Sequence, residues 1–502
     1  MALINISNLS FSYDGNSDIL FNNANLQIDT NWKTGLIGRN GRGKTTLLKC
    51  LTGDLHYNGQ IIAPCNFLYF PYCIRNKHRN TIDIAKELCP EVETWELTKE
   101  FALLDTDCNI LYRPFNTLSS GEQAKVMISI LFLIKDGFPL IDEPTNHLDA
   151  RGRIAIANYL QRKKGFILVS HDRSVLDQCI DHVISINRQD IDIQRGNYST
   201  WSENKDKQDA YATSKYKFLL QEAHRLDKSA RENTRWANKA EHKKNGTKKH
   251  TDNKASWRTT QSTKSKKAMS RAKTIESRKL AAENKAKGLL DNIELLEKLR
   301  ISQEQHHSHE FARLENVAIK FDNIQICCPV SFTIEKGDRI SLAGVNGAGK
   351  SSILKLIYKN NIQFSGNLYC ATNLLISYVP QDVSFLSGSI YEYALEHGID
   401  MSLFLTILSK MNIPKSQVEK NMKYLSEGQK KKILLARSIC QTAHLHIWDE
   451  PLNYIDIITR VQIEELILQY KPTLLFVEHD KAFCDNIATK TIQVFPQKSA
   501  VK

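Results

Sequence analysis

Two short stretches of the chain carry residues able to grip a polyphosphate. Gly38-Arg39-Asn40-Gly41-Arg42-Gly43-Lys44-Thr45 recurs as Gly344-Val345-Asn346-Gly347-Ala348-Gly349-Lys350-Ser351. Glycines at these positions let successive backbone N–H groups curl around β and γ phosphates, and Lys44 or Lys350 then sets an ammonium on the phosphoryl group to be transferred. Thr45 and Ser351, followed by Thr46 and Ser352, offer hydroxyls at a helix N-terminus, where an anion is favoured and a hydroxyl suits Mg²⁺. Further along, Phe138 to Ile141 and Leu445 to Trp448 read as buried strands that deliver Asp142-Glu143 and Asp449-Glu450 at their carboxyl ends. The aspartate of each pair suits Mg²⁺. The glutamate beside it is placed to polarise an attacking water as general base. His171 and His479 each end an apolar strand; a lone histidine there is more often a core or capping residue, but its recurrence in both halves favours a γ-phosphate sensor. Nucleoside triphosphate hydrolysis is the chemistry these parts would perform.

The elements that position these residues are duplicated. Leu118-Ser119-Ser120-Gly121-Glu122 recurs as Leu425-Ser426-Glu427-Gly428-Gln429, and Lys44 to Lys350, Ser119 to Ser426, Asp142 to Asp449 and His171 to His479 are offset by about 306 to 308 residues. One such loop arises by chance; four motifs in one order at one offset mean a repeated domain. The reading is an α/β fold with a first domain at 1–204, a second at 301–502 and a helical segment at 205–300 between them.

That middle segment holds the charge. The chain of 502 residues has 68 Lys and Arg against 55 Asp and Glu, a net of +13, yet residues 225–287 alone hold 20 basic and 6 acidic side chains, a local +14. Leu219, Ala223, Leu226, Ala230 and Ala237 form one helical stripe, and Ala268, Ala272, Ile275, Lys279, Ala282, Ala286, Leu289, Ile293 and Leu296 form another. Two such seams predict an antiparallel helical hairpin, its first helix spanning about 205–237. The tip, about 238–267, contains no Leu, Ile, Val, Phe or Met and offers only Trp257 as a large apolar surface, so it cannot fold on its own. A flexible linker is the usual fate of such a segment, but a tether has no need of heptads on both flanks. Clustered cations of this kind suit RNA phosphates: Lys243, Lys244, Lys248, Lys249, Lys254 and Arg258, with Trp257 or His250 able to stack on a base.

Other classes are set aside. The longest apolar run, Ile130 to Ile134, is far short of the roughly 20 residues that span a bilayer. The first residues lack a secretory signal and read as a β-strand, and the eleven cysteines are scattered without metal-ligand spacing, as expected of buried reduced thiols in a cytoplasmic protein.

The Leu-Ser-x-Gly-Glu/Gln motif about 20 residues before each Asp-Glu pair is where the chain resembles the ATP-binding-cassette (ABC) ATPases. The resemblance implies two P-loop ABC ATPase domains in tandem, joined by a long α-helical antiparallel coiled-coil linker, in a monomer whose cassettes pair head to tail. It implies ATP and Mg²⁺ as cofactors. One composite site would join Gly38, Asn40, Gly41, Gly43, Lys44, Thr45, Thr46, Asp142, Glu143 and His171 with Ser426 and Gly428. The other would join Gly344, Asn346, Gly347, Gly349, Lys350, Ser351, Ser352, Gln381, Asp449, Glu450 and His479 with Ser119 and Gly121. Tyr13 and Phe321 match the aromatics that stack on adenine. Thr45, Asp142, Ser351, Gln381 and Asp449 would face the metal.

Tandem cassettes, a charged helical linker and Asp142-Glu143-Pro144-Thr145-Asn146-His147-Leu148-Asp149 resemble the ABC-F translation factors. Gly35 to Thr45, Phe138 to Glu143 and Ile447 to Tyr454 resemble more narrowly the Lsa-type proteins, which protect bacterial ribosomes against lincosamides, streptogramin A and pleuromutilins. The implied partner is the bacterial ribosome, at large-subunit rRNA near the tRNA exit site and at P-site tRNA. A housekeeping factor for stalled ribosomes and the ATPase subunit of a drug exporter are the alternatives, and the basic hairpin speaks against the exporter. Two positions depart from the family pattern. Tyr72 stands where Gln381 stands in the other half, and Leu452-Asn453-Tyr454-Ile455-Asp456 replaces Thr-Asn-His-Leu-Asp. A phenol cannot present an amide oxygen to Mg²⁺, so the two ATP sites are expected to be unequal.

Overall fold

A computed structural model describes residues 2–13, 19–146, 148–187, 190–245, 267, 269–285, 299–301, 304, 306–321, 324–359 and 361–497. The chain forms two compact units, one of residues 1–187, 191–199 and 296–502, the other of 188–190 and 200–295.

In the first half, β1 (Leu3–Ser12), β2 (Ile19–Asp29) and β4 (Asn58–Ile62) make an antiparallel sheet in the order β2-β1-β4. Beside it, β3 (Lys33–Ile37), β5 (Asn66–Phe70), β6 (Gly137–Asp142), β7 (Phe166–Val169), β8 (His182–Ile186) and β9 (Ile191–Arg195) form a sheet ordered β5-β6-β7-β3-β8-β9. All but β9 run parallel. Every residue of β7 is buried, which is why it reads Phe-Ile-Leu-Val without alternation: a parallel strand is covered on both faces. Helices α1 (Lys44–Thr52), α2 (Thr81–Leu88), α3 (Thr94–Leu103), α4 (Ser120–Leu133), α5 (Ala150–Arg162) and α6 (Arg173–Cys179) complete this half.

After α7 (Tyr198–Asn245) and α8 (269–285), the second half repeats the plan. β10 (Glu310–Phe321), β11 (Ile324–Gln325), β12 (Val330–Glu335) and β14 (Phe364–Cys370) are antiparallel, with β10 central. β13 (Arg339–Ala343), β15 (Ile376–Val379), β16 (Leu445–Asp449), β17 (Leu474–Val477) and β18 (Lys490–Gln493) form a parallel sheet ordered β15-β16-β17-β13-β18, the same permutation as β5-β6-β7-β3-β8. Its helices are α9 (Lys350–Lys359), α10 (Ile390–Glu396), α11 (Met401–Lys410), α12 (Lys415–Val418), α13 (Glu427–Cys440), α14 (Ile457–Tyr470) and α15 (Lys481–Ile487). Both loop-to-helix turns that carry Lys44 and Lys350 follow a central strand, β3 or β13, so each phosphate loop sits at the carboxyl edge of its sheet.

The described residues of the linker between the halves are helical. α7 has 48 residues, roughly 70 Å at about 1.5 Å each. It starts earlier than its apolar spacing indicated, because its first turns carry Tyr198 and Trp201, both buried, which the stripe of small residues did not reveal. It also runs on through Asn245, so residues 238–245, read from sequence as part of a coreless tip, continue the helix; alanine and lysine among them are good helix formers. Ala223 on α7 and Ala272 and Ala282 on α8 are buried, and Lys279 donates to Asp227 across the pair at 2.6 Å. Lys279, the one polar residue of its stripe, thus earns its place by an interhelical ion pair. Ala268, Ala286, Leu289, Ile293 and Leu296 lie outside the described residues. All eleven cysteines are free thiols; Cys73 and Cys108 are exposed, against the expectation that all would be buried.

Candidate functional site

The two phosphate loops are built alike. Gly43 has φ of 92°, and a Cβ on it would fall 2.7 Å from Leu20, so glycine is required twice over. Lys44, buried, donates from Nζ to the carbonyl oxygens of Gly38 at 2.8 Å and Arg39 at 3.3 Å. Lys350 does the same toward Gly344 at 2.8 Å and Val345 at 2.9 Å. Burial lowers the pKa of both ammoniums, against the pull of Asp456, Glu143 and Asp142 on Lys44 and of Glu450, Asp149 and Asp449 on Lys350.

Each loop meets its strand-end aspartate through a hydroxyl: Thr45 Oγ1 donates to Asp142 at 2.7 Å and Ser351 Oγ to Asp449 at 2.9 Å. Burial pushes the Asp449 carboxyl up to about 6, with Glu450 adding to the effect, so this oxygen pair would gain from a cation. A carboxylate, a hydroxyl and the phosphates of a nucleotide are the hard oxygen donors Mg²⁺ takes, and the residues fit it. Among the described residues no group of three or more His, Cys, Asp or Glu side chains is placed to hold a metal. In the first half, Tyr69 also donates to Asp142, at 3.1 Å. That residue was missed, since only the register of β5 on β6 shows that its ring points this way.

Glu143 and Glu450 follow β6 and β16 at φ of 52° and 47°, turned back so that their N–H groups donate to Val169 at 2.9 Å and Val477 at 3.0 Å. His171 Nε2 lies 3.3 Å from Glu143 Oε1, and His479 Nε2 lies 3.6 Å from Glu450 Oε1. The environments then diverge. Burial, reinforced by Asp142, pushes the Glu143 carboxyl up to about 8 although Lys44 and Arg460 oppose it. Burial acts on Glu450 too, but the adjacent His479 imidazole, the hydrogen bond from Gln381 and the charge of Lys431 hold that carboxyl below its ordinary range. Gln381 Nε2 and Asn453 Nδ2 donate to the same Glu450 oxygen at 2.9 and 2.6 Å. Tyr72, at the Gln381 position, sends its hydroxyl to the Met127 carbonyl at 3.2 Å. His171 is held well below its usual range by burial and by Lys44 and Arg460.

Ser119 and Ser426 are N-caps of α4 and α13, each in a capping box with Glu122 or Gln429. The halves meet head to tail. Asn40 Nδ2 in the first loop donates to the Tyr454 carbonyl of the second half at 2.9 Å, and a Cβ on Gly428 would fall 2.5 Å from that oxygen and 3.4 Å from Asn40. Arg173 pairs with Glu464 across the same seam. On the other side a cavity of about 770 Å³ brings Ser119 and Gly121 together with Asn346, Gly347, Gly349, Lys350, Ser351, Ser352, Gln381, Glu450 and His479. Tyr13 bonds through its hydroxyl to Thr46 Oγ1 at 2.8 Å with its ring half exposed, and Phe321, also half exposed, ends β10. Gly41 and Gly347 both take positive φ at the loop crests, while Gly38 and Gly344 would crowd the carbonyls of Ile186 and Val494 with any side chain.

A matched pair of buried ion pairs escaped the sequence reading. Arg153–Asp172 at 3.0 Å and Arg460–Asp480 at 2.9 Å join the start of α5 or α14 to the residue after each strand-end histidine. Recurrence of Arg four residues after Asp149 and Asp456 was the available signal. Asp456 itself is fully buried, caps α14 and takes the Lys432 ammonium at 2.7 Å, so the altered Leu452–Asp456 stretch keeps its anchor. The backbones of Lys243 and Lys244 lie in α7, whereas Lys248, Lys249, His250, Lys254, Trp257 and Arg258 lie outside the described residues.

This fold and site define a P-loop ATPase of the cassette type. The ABC transporter family profile matches residues 21–146 and 327–453, and the chain belongs to that family as a tandem-cassette, ABC-F-like ATPase. It is 29% identical over 512 residues to the ATP-binding protein Uup of Buchnera aphidicola, covering 98% of this chain and 80% of the relative. It is 26% identical over 552 residues to the putative ATP-binding protein YdiF, and 26% over 503 residues to the ribosome protection protein VmlR, both of Bacillus subtilis; each alignment covers 98% of this chain, with 80% and 86% of the relatives. Among solved structures, the RNase-L Inhibitor superposes with a TM-score of 0.62 at 17% identity, covering 98% of this chain and 90% of the other. An archaeal ribosome recycling factor, solved with an archaeal ribosomal stalk protein, gives 0.63 at 17%, covering 97% and 87%. No helix among the described residues is long and apolar enough to cross a membrane.

Proposed function

We propose that this ATPase is a ribosome-binding antibiotic-resistance factor. ATP draws the cassettes together, the closed form docks on a bacterial ribosome, and the linker reaches toward the peptidyl-transferase region, relieving inhibition by lincosamides, streptogramin A and pleuromutilins; hydrolysis then releases the protein. The observation that carries this reading is the confinement of the whole basic surplus, +14 in residues 225–287, to the chain segment that joins the two ATPase halves. A relative that is a ribosome protection protein supports it. The assignments that go with it are Glu143 and Glu450 as bases, His171 and His479 as γ-phosphate sensors, and Thr45, Asp142, Ser351, Asp449 and Gln381 around Mg²⁺, which when bound offsets phosphate charge. Lys243, Lys244, Lys248, Lys249, His250, Lys254, Trp257 and Arg258 would face RNA, and the work would be done in the cytoplasm.

Similarity of the same extent to Uup and YdiF favours a second reading, a housekeeping factor for stalled ribosomes. Drug-susceptibility testing in a bacterial host lacking the gene separates them. Expression should raise the inhibitory concentration of at least one of the three drug classes, and removal of His250 to Arg258 should abolish the gain while leaving ATPase activity intact. No change with any of the three classes would leave the housekeeping role.

A further inference from the structure

Lys431 sits in the second turn of α13, and its side chain is buried although it lies in a run of three lysines. Its Nζ donates to the carbonyl oxygens of Pro380 at 2.7 Å, Gln381 at 3.1 Å and Asp449 at 3.3 Å. An ammonium has three donors, and here all three are spent on backbone that leads directly into Glu450 and the loop of Gln381. Burial pushes the Lys431 ammonium down to about 8, against the carboxylates of Asp449, Glu478, Glu450 and Asp382, which favour its charge. Glu478 is itself buried, accepting from the N–H groups of Leu452 at 3.1 Å and His479 at 2.8 Å. The first half has neither member of this arrangement: the equivalent positions are Ala124 and Ser170. There the tie is made from the opposite side, by Tyr72 reaching from the strand end to the carbonyl of Met127 on α4.

We propose that Lys431 is a positioning residue for the second ATP site, tying α13 to the backbone that presents Gln381 and Asp449, and that Tyr72 makes the corresponding tie in the first. The halves have exchanged which element supplies the donor. In the second half a cation on the helix holds three carbonyls, leaving the Gln381 side chain to meet Glu450. In the first, the side chain at the strand end is itself the tie and has nothing left for Glu143.

This rests on the assignment of Glu143 and Glu450 as bases, so the test is resolved by site. In a Glu143→Gln background, where turnover comes from the second site, Lys431→Met should lower kcat at least fivefold while changing KM for ATP less than twofold. In a Glu450→Gln background the same substitution should change kcat less than twofold. Tyr72→Phe should show the reverse pattern. Equal losses in both backgrounds, or none in either, would overturn the proposal. Should Lys431→Met melt well below the parent, Lys431→Ala with Glu478→Ser, which copies the first half, carries the same comparison. Turnover that survives in Glu143→Gln/Glu450→Gln would unseat the assignment of the bases instead.

Discussion

Replacing one glutamate at a time should expose two sites with different pH dependence. With the Glu143 carboxyl pushed up to about 8 by burial and Asp142, only about one-tenth of it is ionised at pH 7, rising to about nine-tenths at pH 9. Glu450, held low by the adjacent His479 imidazole and the hydrogen bond from Gln381, is ionised throughout that range. Both sites receive the same nucleotide, so what separates their carboxylates is the protein around them. A base works when deprotonated; a raised pKa therefore costs activity below it and restores activity as pH climbs. The Glu450→Gln protein, running on its first site, should speed up about tenfold between pH 7 and pH 9, whereas Glu143→Gln should stay within twofold. At pH 7 the second should turn over roughly ten times faster than the first. Tyr72→Gln together with Ala124→Lys in the Glu450→Gln protein, which installs the tie that Lys431 makes in the second half, should narrow the gap, because an amide at position 72 can donate to Glu143 as Gln381 does to Glu450. Phosphate release measured from pH 6.5 to 9 decides it. Equal rates with parallel profiles, unmoved by Tyr72→Gln with Ala124→Lys, would refute the reasoning.

Other outcomes follow from the packing. Asp172→Ala leaves Arg153 charged and buried without its partner, and should cost about 3 to 5 kcal/mol in chemical denaturation of the first half; a loss under about 1 kcal/mol would mean water reaches the site. His446, buried in β16 against Ser438, is depressed by burial from 6.5 to about 4. The unfolded chain then binds a proton that the folded chain refuses, so stability is full above pH 6.5 and falls by about 3 kcal/mol as pH drops to 4. His446→Gln should flatten that part of the profile, and an unchanged slope would assign it to other groups.

Much of the site was legible because the chemistry is repeated. Two lysine-ending loops, two Asp-Glu pairs and two strand-end histidines at one offset fixed which residues converge, and β6 and β16 deliver their carboxylates where the buried runs ended. Linker helices were legible from small residues at heptad spacing, and Lys279 shows why one polar position was tolerated. What stayed hidden depends on facing rather than on type. Tyr69 alternates along β5 with residues that look equally apolar, and its bond to Asp142 exists only through strand register. Lys431 belongs to a Lys-Lys-Lys run that reads as a solvated face, whereas α13 is covered nearly all round from Gly428 to Ile439. The opposite shifts of Glu143 and Glu450 depend in part on neighbours that no local pattern connects, such as Gln381, 69 residues from Glu450.

Ribosome association is the measurement that bears most directly on the proposed role. The Glu143→Gln/Glu450→Gln protein should bind ATP without hydrolysing it, and should pellet with purified bacterial ribosomes through a sucrose cushion in ATP but not in ADP. If it stays in the supernatant in both nucleotides at low salt, the closed form does not dock on ribosomes and the basic hairpin serves another partner.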